Sequence, residues 1–290
     1  MSIASIQSKY PSAIWFDSNY GSTGTGTVSD PYNDFGTAVA AIASNDNAIA
    51  VKSGTHAVDH ANLTISSLGG TADTLTVVGE DTTAKITTTG VGNGASFEMS
   101  NLSLKLETIH IQHIGTGNTY GLINMGSVAG SDLTVEGSII EISAATLANN
   151  THQGMIKYNT VALNAVTTLR DSVFITGGSS NQSVMFYIAS TTLDVQRCTV
   201  FTQTNSAATN LIVQTAPSTS TWKNNIFVGN TGNEAFNLTF GTASNNCFHN
   251  SAVTSGQGGT VFADPQFVDS ANSDYRLRPS SPCIGAGTAS

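Results

Sequence analysis

At 290 residues the chain is long enough for one large core, and an all-β chain of this length reads as one domain. Charged residues are only 10 % of it, against roughly 25 % in an average soluble domain; yet 39 % are apolar and recur in strand-like runs, which excludes a disordered chain. The formal net charge of −9 argues against DNA, RNA or an anionic membrane as partner, and no apolar run nears the roughly 18 residues of a membrane span.

Residues 1–14 are polar and show no strand pattern before Ile14, so they read as an N-terminal arm. They lack the basic and apolar regions of an export signal, and the protein is expected to be made in the cytoplasm. Residues 15–47 form an N-terminal segment with one short helix. Asn33 or Asp34 can cap it, and Phe35, Ala38, Val39 and Ile42 fall at i, i+3, i+4 and i+7, an apolar stripe suited to lie over the first coil and close that end.

Residues 48–260 repeat one short pattern. It reads Leu106-Glu-Thr-Ile-His-Ile111, Val135-Glu-Gly-Ser-Ile-Ile140, Leu169-Arg-Asp-Ser-Val-Phe174, Val195-Gln-Arg-Cys-Thr-Val200, Trp222-Lys-Asn-Asn-Ile-Phe227 and Ala243-Ser-Asn-Asn-Cys-Phe248, with looser matches anchored at Val51 and Val78. Successive anchors lie between 21 residues (Trp222 to Ala243) and 34 residues (Val135 to Leu169) apart. One strand-bearing unit at that spacing is a coil of a parallel β-helix, stacked at about 4.8 Å on the next; eight coils make a rod about 40 Å long. The longest interval predicts a protruding loop around residues 147–158. Both ends of the pattern should point inward, and Asn224, Asn225, Asn245 and Asn246 should form a structural ladder at the corner between sheets. Residues 261–290, punctuated by Pro and Gly, read as an irregular segment closing the other end. The fold class is therefore all-β: a single-stranded right-handed parallel β-helix with a short N-terminal capping helix and an irregular C-terminal cap. The three cysteines, Cys198, Cys247 and Cys283, are odd in number and widely spaced, and read as small buried apolar side chains rather than a disulfide or zinc framework.

The opening run Trp15-Phe-Asp-Ser-Asn-Tyr-Gly-Ser-Thr-Gly-Thr-Gly26 with Pro31-Tyr32, the first coil Ile49-Ala-Val-Lys-Ser-Gly-Thr-His56 and the closing segment 264–287 resemble the pectate-lyase-like right-handed β-helix superfamily over nearly the whole chain. The resemblance implies a fold but not one function, because the superfamily includes lyases and glycosidases, surface adhesins, phage tailspikes and other virion proteins. Its galacturonase-like members carry Asp clusters, a Gly-His-Gly and an Arg-x-Lys, and its pectate lyases several acidic Ca²⁺ ligands with an Arg or Lys base. Here, apart from the neighbours Glu80 and Asp81, the acidic residues stand singly.

One catalytic arrangement can be drawn. The residue after each anchor should face outward, in the column Lys52, Gly79, Glu107, Glu136, Arg170, Gln196, Lys223, Ser244. Glu107 and Glu136 would stand about 4.8 Å apart, close to the roughly 5–5.5 Å of a retaining glycosidase, with Arg170 beside them to hold an acidic sugar. Lyase chemistry would instead use Arg170 or a nearby Lys as base, with Ca²⁺. The competing reading is a solvated column of partly compensating charges. Asp171 and Arg197 should form a surface ion pair, and His110 and His113 read as structural. With no cofactor or metal set expected, the sequence points to a non-catalytic bacteriophage protein on the virion surface: a capsid decoration, head spike or tail-associated adhesin. Its expected partners are capsid or tail proteins and cell-surface glycans, without nucleic acid or membrane, and analogy with phage β-helix proteins suggests a homotrimer. The alternatives are a polysaccharide lyase or hydrolase, and a secreted bacterial surface adhesin.

Overall fold

In the computed structural model of the chain, the repeated pattern is the corner of each coil. The anchor is the penultimate residue of a strand, as in Ser103–Glu107, Leu133–Glu136, Ala165–Arg170 and Ser220–Lys223. The residue two after it takes the left-handed backbone that bends the chain: Thr108, Gly137, Asp171, Arg197, Asn224 and Asn245 all have φ between 49° and 58°. Gly, Asn and Asp adopt this region most readily. The next strand then begins, and its second residue points inward. Under the corner sits one more column. The Ser138 hydroxyl accepts from the Ile109 amide, the Ser172 hydroxyl from Ser138, the Asn225 carbonyl oxygen from Cys198, and that of Asn246 from Asn225. The buried amide groups of Asn225 and Asn246 in turn donate to the carbonyls of Val195 and Trp222. Asn225 and Asn246 are thus the ladder, while Asn224 and Asn245 make the turns.

The result is a right-handed parallel β-helix whose described residues form three large parallel sheets and one parallel pair, Ala235–Phe236 with Ala252–Val253. Sheet 1 has nine strands, from Ile14–Phe16 to Gly241–Ser244; sheet 2, reached through the corner, has nine, from Thr55–Val58 to Val261–Phe262. Sheet 3 has six, from Thr64–Ile65 to Ile212–Gln214. The structure describes residues 1–44, 47–59, 63–66, 68, 73–89, 97–100, 102–114, 122–125, 131–142, 154–158, 165–176, 184–188, 191–202, 212–214, 219–229, 235–236, 241–250, 252–253 and 261–287. One apolar core runs through the coils, with Phe174, Trp222 and Phe227 fully buried. Phe227 stacks on Phe248 at 4.9 Å between ring centroids.

The register corrects the two loosest anchors. Leu106 pairs with Val77 and Val77 with Ile49, so these, not Val78 and Val51, continue the inward anchor column. A one-residue slip turns a side chain to the other face, and Val78 consequently lies on the outside of sheet 1. Lys52 and Gly79 leave the Glu107 column; its first members are Trp15, Ala50 and Val78. Within the expected loop, Gly154–Tyr158 is a strand of sheet 3, and residues 147–153 lie outside the described residues.

Among the described residues two short α-helices are present where one was expected. Helix α2, Phe35–Ala40, is capped by Asp34, whose carboxylate accepts from the Thr37 amide at 2.7 Å. Its Phe35 meets Phe16 edge-on at 5.2 Å, so it closes the N-terminal end of the core as expected. Helix α1, Ile3–Lys9, lies within the segment read as an arm and is started by a Ser2/Ser5 capping box. It lays Ile6 and the following Tyr10 on the outer column Trp15, Ala50 and Val78, forming a second small core outside the solenoid.

The C-terminal segment runs along a flank instead of across the end. Phe267–Asp269 and Asp274–Leu277 form an antiparallel hairpin whose Phe267 and Tyr275 pack against Phe201 on the outer face of sheet 2. Cys283 is joined by a disulfide to Cys247 of sheet 2, which corrects the reading of both as unpaired apolar side chains; Cys198 is free and buried. The last strand of sheet 2, Val261–Phe262, belongs to the solenoid, and its Phe262, next in the phenylalanine column after Phe248, is 68 % exposed.

Candidate functional site

The strand register brings Glu107, Glu136 and Arg170 into one column on adjacent coils, as the sequence spacing predicts. Their surroundings then separate them. Glu107 is 1 % exposed because α1 ends over it. Lys9 Nζ donates to both of its oxygens at 2.8 and 2.9 Å, the Tyr10 hydroxyl donates at 2.9 Å, and Lys105 Nζ lies at 2.6 Å. Burial pushes the carboxyl up, but the hydrogen bonds from Lys105, Lys9 and Tyr10 outweigh it and hold Glu107 below its ordinary range. Burial and the facing carboxylate push the Tyr10 phenol up to about 12, keeping it a donor. Glu136 is exposed. Arg170 extends away from both, with Nη2 2.6 Å from an Asp194 carboxylate oxygen whose partner accepts from Gln196 at 2.7 Å. The column therefore holds a buried, compensated carboxylate, a solvated one, and an arginine engaged elsewhere.

The other titratable groups serve corners and seams. Arg197 makes two parallel bonds to Asp171 on the preceding coil, at 2.6 and 2.8 Å, the expected surface pair. Ser53 donates to Glu80 and Asp81; bonds from the Thr83 and Ser53 hydroxyls bring Asp81 down to about 2. His110 and His113 fall on opposite faces. His113 is buried with Nδ1 2.9 Å from the Thr88 hydroxyl, while His110 faces outward with Nε2 2.8 Å from Glu141. His56, fully buried, accepts the Ser18 amide at Nδ1, which leaves its proton on Nε2 toward the Lys52 carbonyl at 2.8 Å. Among the described residues no three His, Cys, Asp or Glu side chains gather as a metal set.

Sequence reasoning missed a groove. Between the outer face of sheet 2 and the C-terminal segment lies an open cavity of about 690 Å³. Phe201, Thr202 and Val228 of sheet 2 contribute one side of the lining, continued by His249 and Asn250. The other comes from Asp264, Gln266, Phe267 and Ser270 of the closing segment, with Arg278 after the hairpin. That side is fastened by its own bonds: the Gln266 amide donates to Asp264, the Arg278 amide to the Gln266 carbonyl, and the Arg278 guanidinium to the Val268 carbonyl. Asn250 and Gln266 hold left-handed backbones, φ 47° and 53°. The one available signal was Phe201, an aromatic at an outward position of the alternating strand Thr199–Thr202, which calls for a cover.

Comparison of the chain with protein-family models, with curated proteins and with solved structures finds no match, so the reading of function rests on the fold and on this geometry.

Proposed function

We propose that the protein is a non-catalytic structural and adhesive rod of the pectate-lyase-like β-helix type, carried on the surface of a bacteriophage particle and touching cell-surface glycans. The observation that carries this reading is the difference between the two ends. The N-terminal end is closed by α2 and clasped by α1, whereas the phenylalanine column reaches the other end in the 68 % exposed Phe262. An exposed aromatic at the end of a stiff rod suits end-on attachment to a larger assembly of capsid or tail proteins. The use of Glu107 as a structural anchor supports the same reading, since it takes one carboxylate out of the only Glu pair the sequence offered. A disulfide suits a virion surface, and equally a secreted bacterial adhesin, which is the second reading it favours.

The test has two parts. Antibody labelling of purified phage particles from the source should place the protein on the particle, and Phe262→Asp should abolish its incorporation. Incubation with neutral and uronic polysaccharides, with and without Ca²⁺, should release neither reducing ends nor unsaturated products. Turnover that disappears in Glu136→Gln or Arg170→Ala would establish the lyase or hydrolase alternative instead. Protein found only on the bacterial surface would establish the adhesin.

A further inference from the structure

The groove beside the C-terminal hairpin has a chemistry of its own. Its volume, about 690 Å³, lies within the roughly 300–1,000 Å³ of ligand sites. The half-buried rings of Phe201 and Phe267 give it apolar surface, and His249, Asn250, Asp264 and Gln266 supply both donors and acceptors. Its formal charges balance, Asp264 against Arg278, and the Arg278 guanidinium already donates to the Val268 carbonyl. A phosphate or polyanion would meet one engaged arginine and a carboxylate on a chain of net charge −9. An extended peptide would need a free sheet edge or deep apolar pockets for alternate side chains, and the groove lies on the face of sheet 2. Aromatic surface combined with a ring of mixed donors and acceptors matches a ligand with apolar C–H faces and many hydroxyls.

From this we infer that the groove is the ligand site of the rod and takes a short neutral oligosaccharide. The inference rests on the glycan-touching part of the proposed function and locates it, away from the Glu107 column. The sugar faces lie against Phe201 and Phe267, and the hydroxyls exchange hydrogen bonds with His249, Asn250 and Asp264. The disulfide from Cys247 to Cys283 ties the chain beyond the hairpin back to sheet 2, so the wall is held in place before the ligand arrives and less ordering opposes binding.

The experiment uses the full chain and an array of neutral di- to hexasaccharides of glucose, galactose, mannose and N-acetylhexosamines, with titration calorimetry on the best binder. Two variants spare the fold: His249→Ala, at a half-buried outward position, and Asn250→Gly, which keeps a backbone conformation glycine adopts freely. Each should weaken binding roughly tenfold or more, with Glu136→Gln on the other sheet as a control of unchanged affinity. Bound sugar should also protect amides of residues 264–271 from hydrogen exchange. Binding that persists in both variants, without protection of 264–271, overturns the groove while leaving the adhesive rod in place. A wild type that binds no member of the array overturns both the groove and the glycan-touching part of the rod's function, whereas its place on the particle is decided separately by antibody labelling.

Discussion

Glu107 shows how a single residue changes meaning between sequence and structure. Next to an anchor residue, on an outward position, it has the credentials of a catalytic acid. In the fold it is the polar end of an apolar column, Trp15, Ala50 and Val78, and it receives three donors from two elements. Replacing it with Gln removes the charge that Lys9 and Lys105 oppose, and hydrogen bonds to a charged group contribute about 1.5–3 kcal/mol each. Because Lys9 and Lys105 are 45 % and 32 % exposed, solvent recovers part of that, and we expect Glu107→Gln to cost about 1–3 kcal/mol in a denaturant melt. Glu136→Gln, at an exposed position, should stay within about 0.5 kcal/mol of wild type. The pH dependence follows from the sign of the shift. The folded carboxyl lies below its ordinary value of 4.5, so its contribution is complete above that pH and disappears as the pH falls through the folded value. Trp15, 2 % exposed beneath α1, should therefore show constant fluorescence from neutral pH down to about 5 and a red shift in stronger acid, when α1 loosens. A shift already complete at pH 6 would contradict this role of Glu107.

At the scale of elements, the solenoid is held by columns and its flanks by attachments. Phe227 touches Trp222 and Phe248 in the core, and Phe227→Ala should cost about 3–5 kcal/mol, as should Phe174→Ala, measured by denaturant unfolding. Either variant melting like wild type would show that the inward column is misassigned. The C-terminal hairpin is a different case. It is fixed by its aromatic contacts to Phe201 and by one covalent link spanning 36 residues of sequence. A closed loop of that size contributes about 3–4 kcal/mol by chain entropy. Cys283→Ser, or reduction, should accordingly lower stability by up to that amount, and proteolysis should then cut first after 263 while the coils remain resistant. Simultaneous loss of the coils would mean that the flank and the solenoid form one cooperative unit.

For the whole molecule, nine rungs in two sheets at about 4.8 Å give a rod near 40 Å long, closed at one end and carrying the exposed Phe262 at the other. Attachments occupy two of its outer faces: α1 on sheet 1 near the start and the hairpin on sheet 2 near the finish. Polar columns cover much of the remainder, including Gln196, Lys223 and Ser244 on sheet 1. The two ends of the solenoid therefore differ, and its flanks carry either an attachment or polar columns. That asymmetry, more than any single side chain, is what the proposed end-on attachment rests on.

The sequence by itself determined what depends on local pattern. From Leu106 onward, the corner motif gives strand, turn and strand in the right order and register, because an inward residue, a left-handed bend and a second inward residue must recur once per coil for the columns to stack. Helix α2 was legible for the same reason: Asp34 and the stripe from Phe35 to Ile42 are neighbours in the chain. Helix α1 was not, since seven residues with one buried side chain carry little periodicity, and its reason for folding is an apolar patch made by Trp15, Ala50 and Val78 on three different coils. The same distance hid the cover over Glu107, the pairing of Cys247 with Cys283 and the groove. Each joins residues tens of positions apart in the chain through contacts that run across the stack or around its outside. A repeat fixes how one coil follows the next, but only the completed stack decides what the chain's two ends lie against.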